Sequence, residues 1–170
     1  MTRSNFQKPP ITGIFHHVGL VVRDVDKTAD FYESLGVGPF EPLVFGVKNR
    51  KLRGAPLSGL KLKIRMAHTG PTRIELIQPI DGIGPWFDFL AHHGEGATHI
   101  GYVVNDIDES KKELVKRGLK IIYEGWFENG SAAAYVESEK LGGIIFEIFQ
   151  RPSNYVPREK TRIIEEVAAR

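Results

Sequence analysis

The stretch FHHVGLVVRDVDKTADFYESLGV, from Phe15 to Val37, decides the fold because the chain repeats it. A second stretch, ATHIGYVVNDIDESKKELVKRGL from Ala97 to Leu119, aligns with it position by position without a gap. Seven pairs are identical: His17/His99, Gly19/Gly101, Val21/Val103, Val22/Val104, Asp24/Asp106, Asp26/Asp108 and Gly36/Gly118. One structural unit therefore occurs twice, and the two copies are expected to share a core.

Each copy is predicted to form a strand, a turn and a helix. Val18 and Leu20 alternate with polar or small residues, which is typical of a strand with two different faces. Asp24 and Asp26 are candidates for the helix N-cap, because their carboxylates can accept from free N–H groups of the first turn. Gly36 stands where a left-handed residue commonly ends a helix.

A second, weaker repeat follows each helix. IELIQP (Ile74–Pro79) matches FEIFQRP (Phe146–Pro152), and it pairs Glu75 with Glu147 and Gln78 with Gln150. The two glutamates are closer together in the sequence than the two histidines are, so the first copy holds extra residues between its helix and its last strand. The stretch from Phe40 to Ser58, rich in glycine and proline, is predicted to be that loop.

Two histidines and two glutamates, one of each per copy, form the candidate site. His17 and His99 fall on the strand face opposite the helix-facing apolar residues, and Glu75 and Glu147 do the same on the last strands. A carboxylate buried in such apolar strands is costly without a partner, and a divalent ion would satisfy all four side chains. Buried His–Glu hydrogen-bonded pairs, or unrelated polar residues on a solvated sheet face, remain open. Alternation places His16 on the helix side or at the sheet rim, in a structural role.

Composition excludes several other classes of protein. The 170 residues carry a net charge of +2 and contain no cysteine, which removes disulfides and thiolate metal sites. No basic face suggests nucleic acid, no apolar run suggests a membrane span, and the N-terminus lacks a signal peptide, so we expect a cytoplasmic protein. A mild basic cluster (Lys48–Arg53, Lys61, Lys63 and Arg65) is interpreted as a solvated loop and edge strand. The alternative is that it holds an anionic substrate tail, such as a phosphate or a coenzyme A moiety.

The segments FHHVGLVVRDVDKTADFYESLGVGPF and GEGATHIGYVVNDIDESKKELVKRGL resemble the paired openings of the vicinal oxygen chelate superfamily. That superfamily includes glyoxalase I, methylmalonyl-CoA epimerase, extradiol dioxygenases and the fosfomycin and bleomycin resistance proteins. The resemblance implies an α+β fold in which two pseudo-symmetric βαβββ modules form an open cup around one metal site. Residues 1–170 would be one such domain, with module one at about 12–79, module two at about 94–150 and a C-terminal tail at 151–170. From Arg158 the tail could form an amphipathic helix or a frayed surface segment.

The resemblance also implies a function and a ligand set. His17, Glu75, His99 and Glu147 would hold one divalent ion (zinc, nickel, cobalt, manganese or iron). The protein would be a metal-dependent isomerase or epimerase, similar to methylmalonyl-CoA epimerase, acting through an enolate or enediolate of a small carbonyl substrate such as an acyl-CoA or thiol adduct. Glu147 or Glu75 would be the catalytic base, or both would be spectator ligands. A homodimer is expected.

Two other functions stay open. One is a lactoylglutathione lyase similar to glyoxalase I, and the other is a non-catalytic small-molecule-binding protein of the resistance type. Epimerases tend to carry an acidic segment before the third strand, whereas Glu41 is the only acid between Phe40 and Leu60 in this chain.

Overall fold

The computed structural model describes residues 13–155, and its ten strands form a single mixed sheet. In chain order the strands are β1 (Ile14–Val21), β2 (Glu41–Pro42), β3 (Val47–Leu52), β4 (Ala55–Pro56), β5 (Lys61–Thr69), β6 (Thr72–Asp81), β7 (Gly96–Val104), β8 (Lys120–Phe127), β9 (Ala132–Glu137) and β10 (Ile145–Gln150). The α-helices are α1 (Val25–Ser34), α2 (Pro85–His93) and α3 (Ile107–Lys116), and a short 3₁₀ helix spans Glu139–Leu141. The predicted tail helix from Arg158 lies outside the described residues.

The strand order shows two matching halves. One half runs β2-β5-β6-β1 and the other runs β7-β10-β9-β8, and they join where β1 and β7 pair antiparallel. In both halves the first strand pairs parallel with the last one, β1 with β6 and β7 with β10. Each half is thus a βαβββ module, and the sheet is curved and open. The predicted α+β cup is confirmed.

The extra residues of module one form a hairpin, so the prediction of a loop there was wrong. β3 and β4 pair with each other, and β3 pairs antiparallel with β8, the edge strand of module two. The hairpin turn consists of Arg53 (φ 49°) and Gly54 (φ 83°), and two residues with positive φ match the twist of a tight hairpin. Module one therefore extends the far edge of module two.

The helix ends follow the repeat. Asp24 and Asp106 are the N-caps of α1 and α3, and each accepts from the backbone N–H three residues further along. Gly36 and Gly118 end the same helices with φ of 86° and 85°, a conformation that favours glycine. The two predicted types of cap are therefore present in both modules.

The repeated glutamines connect each helix to the last strand of its module. The backbone N–H of Val25 donates to Oε1 of Gln78 at 3.0 Å, and that of Ile107 donates to Oε1 of Gln150 at 2.8 Å. These bonds satisfy first-turn N–H groups that have no partner inside the helix. They fix the helix relative to the strand that carries the glutamate.

The two faces of the sheet have separate apolar clusters. On the outer face, α1 covers a cluster that includes Leu76, and α3 covers one that includes Ile148; both side chains are fully buried. On the concave face, α2 inserts Trp86 against the rings of Tyr123 and Tyr135, with centroid distances of 4.9 and 5.2 Å. One end of the cup is therefore closed by aromatic packing. No helix among residues 13–155 is long and apolar enough to cross a membrane.

Candidate metal centre

The antiparallel pairing of β1 with β7 builds the centre of the site. It sets His17 opposite Gly101 and His99 opposite Gly19, so each histidine faces the glycine of the other module. The sequence His-x-Gly, which occurs once in each copy of the repeat, therefore becomes two crossed His/Gly pairs. The repeat itself had indicated the histidines but not why the glycines accompany them.

The glycines leave the space that the imidazole rings occupy. A Cβ atom added at Gly19 would lie 1.8 Å from Cε1 of His99, and one added at Gly101 would lie 2.1 Å from Cε1 of His17. No side chain could be accommodated there without moving a ring. The ring centroids of His17 and His99 are 5.1 Å apart, and their Nε2 atoms approach to 3.0 Å.

Parallel pairing then brings in the two glutamates. Glu75 on β6 lies beside Gly19, and Glu147 on β10 lies beside Gly101. All four side chains thus reach the concave face at the module junction, as the sequence predicted. His17, Glu75, His99 and Glu147, which we call the quartet, are 3%, 5%, 0% and 5% exposed.

The spacing of the quartet matches the first coordination sphere of a metal ion. Nε2 of His17 lies 3.6 Å from Oε2 of Glu75 and 2.8 Å from Oε2 of Glu147. The corresponding distances from Nε2 of His99 are 3.2 and 3.3 Å. Two ligand atoms bound at about 2.1 Å to one ion, at angles of about 90–110°, would lie about 3.0–3.4 Å apart. The four residues therefore group as possible ligands of one ion.

The oxygens and nitrogens of the quartet are poorly satisfied by one another. Among the described residues, Oε2 of Glu75, Oε2 of Glu147 and Nδ1 of His99 are buried and have no hydrogen-bond partner. Unpaired buried polar atoms are costly, so a set of them that converges on one point indicates a missing partner. Acceptor oxygens with imidazole nitrogens suit a divalent cation of zinc type or a neighbouring transition metal.

Electrostatics inside the quartet favour a protonated histidine when no ion is bound. Burial alone would lower the pKa of His99, but the carboxylates of Glu147 and Glu75, at 3.3 and 3.2 Å from its Nε2, outweigh burial and raise that pKa to about 9. The same carboxylates outweigh burial at His17 and raise its pKa. Burial would raise the pKa of Glu147, yet His17 and His99 hold it well below its usual range. A cation could replace the bound proton.

His16 also reaches the concave face, which strand alternation had failed to predict. The register of β1 against β7 shifts between Phe15 and His17, and this bulge turns His16 toward His17. Their Nδ1 atoms lie 2.9 Å apart. Burial, Arg73, His17 and Arg151 lower the pKa of His16 to about 3, so it is a neutral acceptor. It can hold the proton of His17 on Nδ1, which leaves Nε2 free as a ligand.

Tyr135 is a second residue that the sequence did not identify. It lies opposite Glu147 on β9, and its ring packs edge-on against His99 at 5.1 Å. Burial, with the charges of Glu147 and Glu75 beside it, raises the pKa of Tyr135 well above its usual range. The hydroxyl thus stays protonated next to the quartet. It lies in the stretch SAAAYVE, where nothing marks it as different from a core residue.

The basic cluster divides between the two faces. On the outer face, Lys63 and Arg65 both form ion pairs with Asp26. Arg50, by contrast, pairs in register with Gly125 of β8 and donates from Nη1 to the carbonyl of Leu60 at 2.7 Å. That bond ties the hairpin to the start of β5. The prediction of a strand is confirmed for Lys61, Lys63 and Arg65, which lie on β5. The predicted loop at Lys48–Arg53 instead forms part of the β3–β4 hairpin.

Comparison with known proteins agrees with this architecture. The family model described as "Glyoxalase/Bleomycin resistance protein/Dioxygenase superfamily" matches residues 16–136. The chain is 23% identical over 134 residues to the uncharacterized protein YqjC of Bacillus subtilis, covering 78% of this chain and 88% of that protein. It is 25% identical over 142 residues to the human mitochondrial methylmalonyl-CoA epimerase, covering 81% of this chain and 74% of the relative.

A solved structure shows the same fold. A single-residue variant of Streptomyces coelicolor methylmalonyl-CoA epimerase, in complex with 2-nitronate-propionyl-CoA, superimposes with a TM-score of 0.63 at 20% identity. The match covers 86% of this chain and 99% of that one.

Proposed function

This chain belongs to the glyoxalase/bleomycin resistance protein/dioxygenase superfamily, and from that premise we propose that it is a metal-dependent isomerase or epimerase. Its ligands would be the quartet, and its reaction the transfer of a proton at a carbon next to a carbonyl group. The observation that carries the proposal is the convergence of four buried ligand atoms, from both modules, within 4.8 Å of one another.

The chemistry follows from the residues around that point. A divalent ion bound by the quartet would supply positive charge near a substrate carbonyl oxygen, where negative charge develops when the neighbouring C–H bond breaks. His17 and His99 are held in place by packing against Gly101 and Gly19. Tyr135 keeps its hydroxyl proton and can donate to the carboxylate beside it.

Glu147 and Glu75 are the candidates for the base, since they are the two buried carboxylates among the described residues. One carboxylate would take the proton from the α-carbon, which leaves an enolate, and the proton would return to the opposite face or to the neighbouring carbon. Atoms and electrons balance without another reactant. Glu147 and Glu75 come from opposite modules, so two-sided proton transfer suits their arrangement. The described hairpin offers no further acid, because β3 and β4 carry Lys48, Arg50 and Lys51 instead.

The relatives named methylmalonyl-CoA epimerase make an acyl-CoA with an acidic α-carbon the first substrate class to test. A 2-oxoaldehyde–thiol adduct, the substrate type of a glyoxalase I-like lyase, is the second. A protein that only binds a small molecule would not need a complete set of metal-binding side chains. The presence of the quartet therefore favours an enzyme over a binding protein.

Metal analysis and isotope exchange test the proposal together. The purified chain, stripped of metal and then given Zn²⁺, Ni²⁺, Co²⁺ or Mn²⁺, should retain about one ion per chain and gain thermal stability. With methylmalonyl-CoA in D₂O, mass spectrometry should show deuterium entering the α-carbon. Glu147→Gln should slow this exchange by about 100-fold or more, whereas Glu113→Gln, at a partly exposed position on α3, should leave it unchanged.

The outcomes separate the possible functions. A chain that neither retains an ion nor gains stability contradicts the metal site. A chain that binds an ion but catalyses exchange in neither substrate class is a binding protein. Exchange at the wild-type rate in metal-loaded Glu147→Gln would exclude Glu147 as the base, and Glu75→Gln then decides whether the base belongs to the quartet at all.

A further inference from the structure

The two histidines of the quartet differ in what lies behind their rings. Both direct Nε2 toward the carboxylates of the quartet. Behind His17, Nδ1 lies 2.9 Å from Nδ1 of His16, and the two rings meet edge to face at 83°. Behind His99, Nδ1 is buried and has no hydrogen-bond partner within residues 13–155. His17 therefore makes a ring-to-ring contact that can fix the position of its proton.

One position of the repeat accounts for this difference. The residue before each histidine is the extra residue of a bulge, because the register between β1 and β7 shifts on both strands, at His16 and at Thr98. The two positions are therefore equivalent in the two modules, but their side chains are not. The imidazole of His16 reaches the ring of its neighbour, whereas Thr98 has no ring nitrogen. The pair of adjacent rings is thus specific to module one.

His16 is held in place from two other strands. Oγ1 of Thr72, on β6, donates to the backbone carbonyl of His16 at 3.2 Å. The ring of Phe149, on β10, stacks on the ring of His16 with a centroid distance of 6.3 Å and an interplanar angle of 26°. The side chain of His16 is half-buried, so these contacts restrict its orientation. A ring restricted in this way can orient the ring beside it.

The positions of the ring protons determine which of the two histidines donates. A neutral imidazole carries one proton on one of its two nitrogens, and a nitrogen that binds an ion carries none. When Nε2 of His17 binds an ion, the proton of that ring must be on Nδ1. Nδ1 of His17 then donates and Nδ1 of His16 accepts, so the proton of His16 must be on Nε2. An ion bound by the quartet would therefore fix the tautomers of both rings.

We propose that His16 is a positioning residue of the metal centre, and that it holds His17 in the tautomer and orientation that present Nε2 to the ion. This inference rests on the proposed function, because it requires an ion at the quartet. His16 acts through His17 and is not itself a ligand. Hydrogen-bond partners of this kind strengthen metal binding about 10- to 100-fold in proteins.

The tautomers can be measured directly in the wild-type protein. In ¹⁵N-labelled, Zn²⁺-loaded protein, long-range ¹H–¹⁵N correlation spectra show which nitrogen of each imidazole carries a proton. We expect a proton on Nδ1 of His17 and on Nε2 of His16. A proton on Nδ1 of His16 would overturn the proposal, whether or not Nε2 is also protonated, because that nitrogen could not accept from His17.

Three substitutions separate the acceptor from its packing. His16→Thr copies the residue of module two and removes the ring nitrogen, so the affinity for Zn²⁺, measured in competition with a chromophoric chelator, should fall about tenfold or more. His16→Asn keeps an acceptor, since Oδ1 of asparagine is as many bonds from the backbone as Nδ1 of histidine, and its affinity should stay within about threefold of wild type. His93→Thr, at the exposed last residue of α2, is the matched control and should leave the affinity unchanged.

The results separate this inference from the proposed function. If the wild-type protein binds no Zn²⁺, the metal site fails and this inference fails with it. If the wild type binds Zn²⁺ and His16→Thr binds it equally well, His16 has no positioning role while the metal site stands. If His16→Asn binds as weakly as His16→Thr, the ring of His16 contributes by packing and not as an acceptor, and the proposal is likewise overturned.

Discussion

Module one and module two are nearly identical at the junction and differ away from it. Both contribute a histidine, a glycine opposite the histidine of the other module, a glutamate, a capping aspartate and a glutamine that binds the helix N-terminus. Module one adds a hairpin, a bulged His16 and Arg73, whereas module two adds Tyr123 and Tyr135, which pack on Trp86.

The difference separates what holds the ion from what surrounds the substrate. The shared residues all position the quartet or join a helix to its last strand. The residues specific to one module line the concave face around the quartet, with His16 and Arg73 from module one and the rings of Tyr123 and Tyr135 from module two. If this division is correct, matched substitutions in the two modules should have matched effects.

The largest effect is expected from Gly19→Ala and Gly101→Ala. Each new Cβ would overlap the opposing imidazole, so the ring or the strand must move. We expect a loss of about 3 kcal/mol or more in the free energy of unfolding of the metal-free protein, at the upper end of overpacking effects. Urea denaturation measures it, and ion retention should fall in both variants.

A third glycine is the control for this pair. The backbone of Gly84 is extended (φ 160°), and an added Cβ would lie 3.4 Å from the ring of Trp86, an ordinary contact. Gly84→Ala should therefore cost less than about 1 kcal/mol. If Gly19→Ala is severe while Gly101→Ala is as mild as Gly84→Ala, the two modules do not contribute equally to the centre.

The next effect concerns pH and distinguishes the metal-free from the metal-loaded centre. The pKa of His99 is about 9 in the folded chain and about 6.5 when unfolded. A raised folded pKa stabilises the fold below pH 6.5, and that stability is lost as the pH rises through 9. We expect the metal-free protein to lose about 2 kcal/mol between pH 7 and pH 9, since one proton corresponds to about 1.4 kcal/mol per pH unit.

The metal-loaded protein is the control for that measurement. An ion takes the place of the proton, so its stability should change little over the same range. Binding of the ion at pH 7.5 should also release protons, which a dilute pH indicator detects. A metal-free protein whose urea midpoint is flat from pH 7 to pH 9 would show that the histidines are neutral without an ion.

The repeat made the central part of this structure predictable. The gapless alignment of two His-x-Gly segments predicted paired strands, helices and matched ligands, because symmetry requires equivalent residues to occupy equivalent places. His16 was misplaced because a bulge cannot be seen in an alternating pattern. The hairpin was missed because β3 is short and polar, and its partner β8 lies in the other module, far along the chain.

The smallest change in the free energy of unfolding is expected at the two glutamines that bind the first turns of α1 and α3, and it tests whether these bonds are equivalent in the two modules. Gln78→Ala and Gln150→Ala each remove one acceptor from a helix N-terminus, where an aspartate already caps the same turn. Each should cost about 1 kcal/mol in the free energy of unfolding. The double variant should cost the sum, because the two sites lie in separate modules and share no partner. The exposed Asn49→Ala should stay within about 0.5 kcal/mol of wild type. A double variant that costs clearly more than the sum would show that the helix supports of the two modules are coupled through the quartet between them.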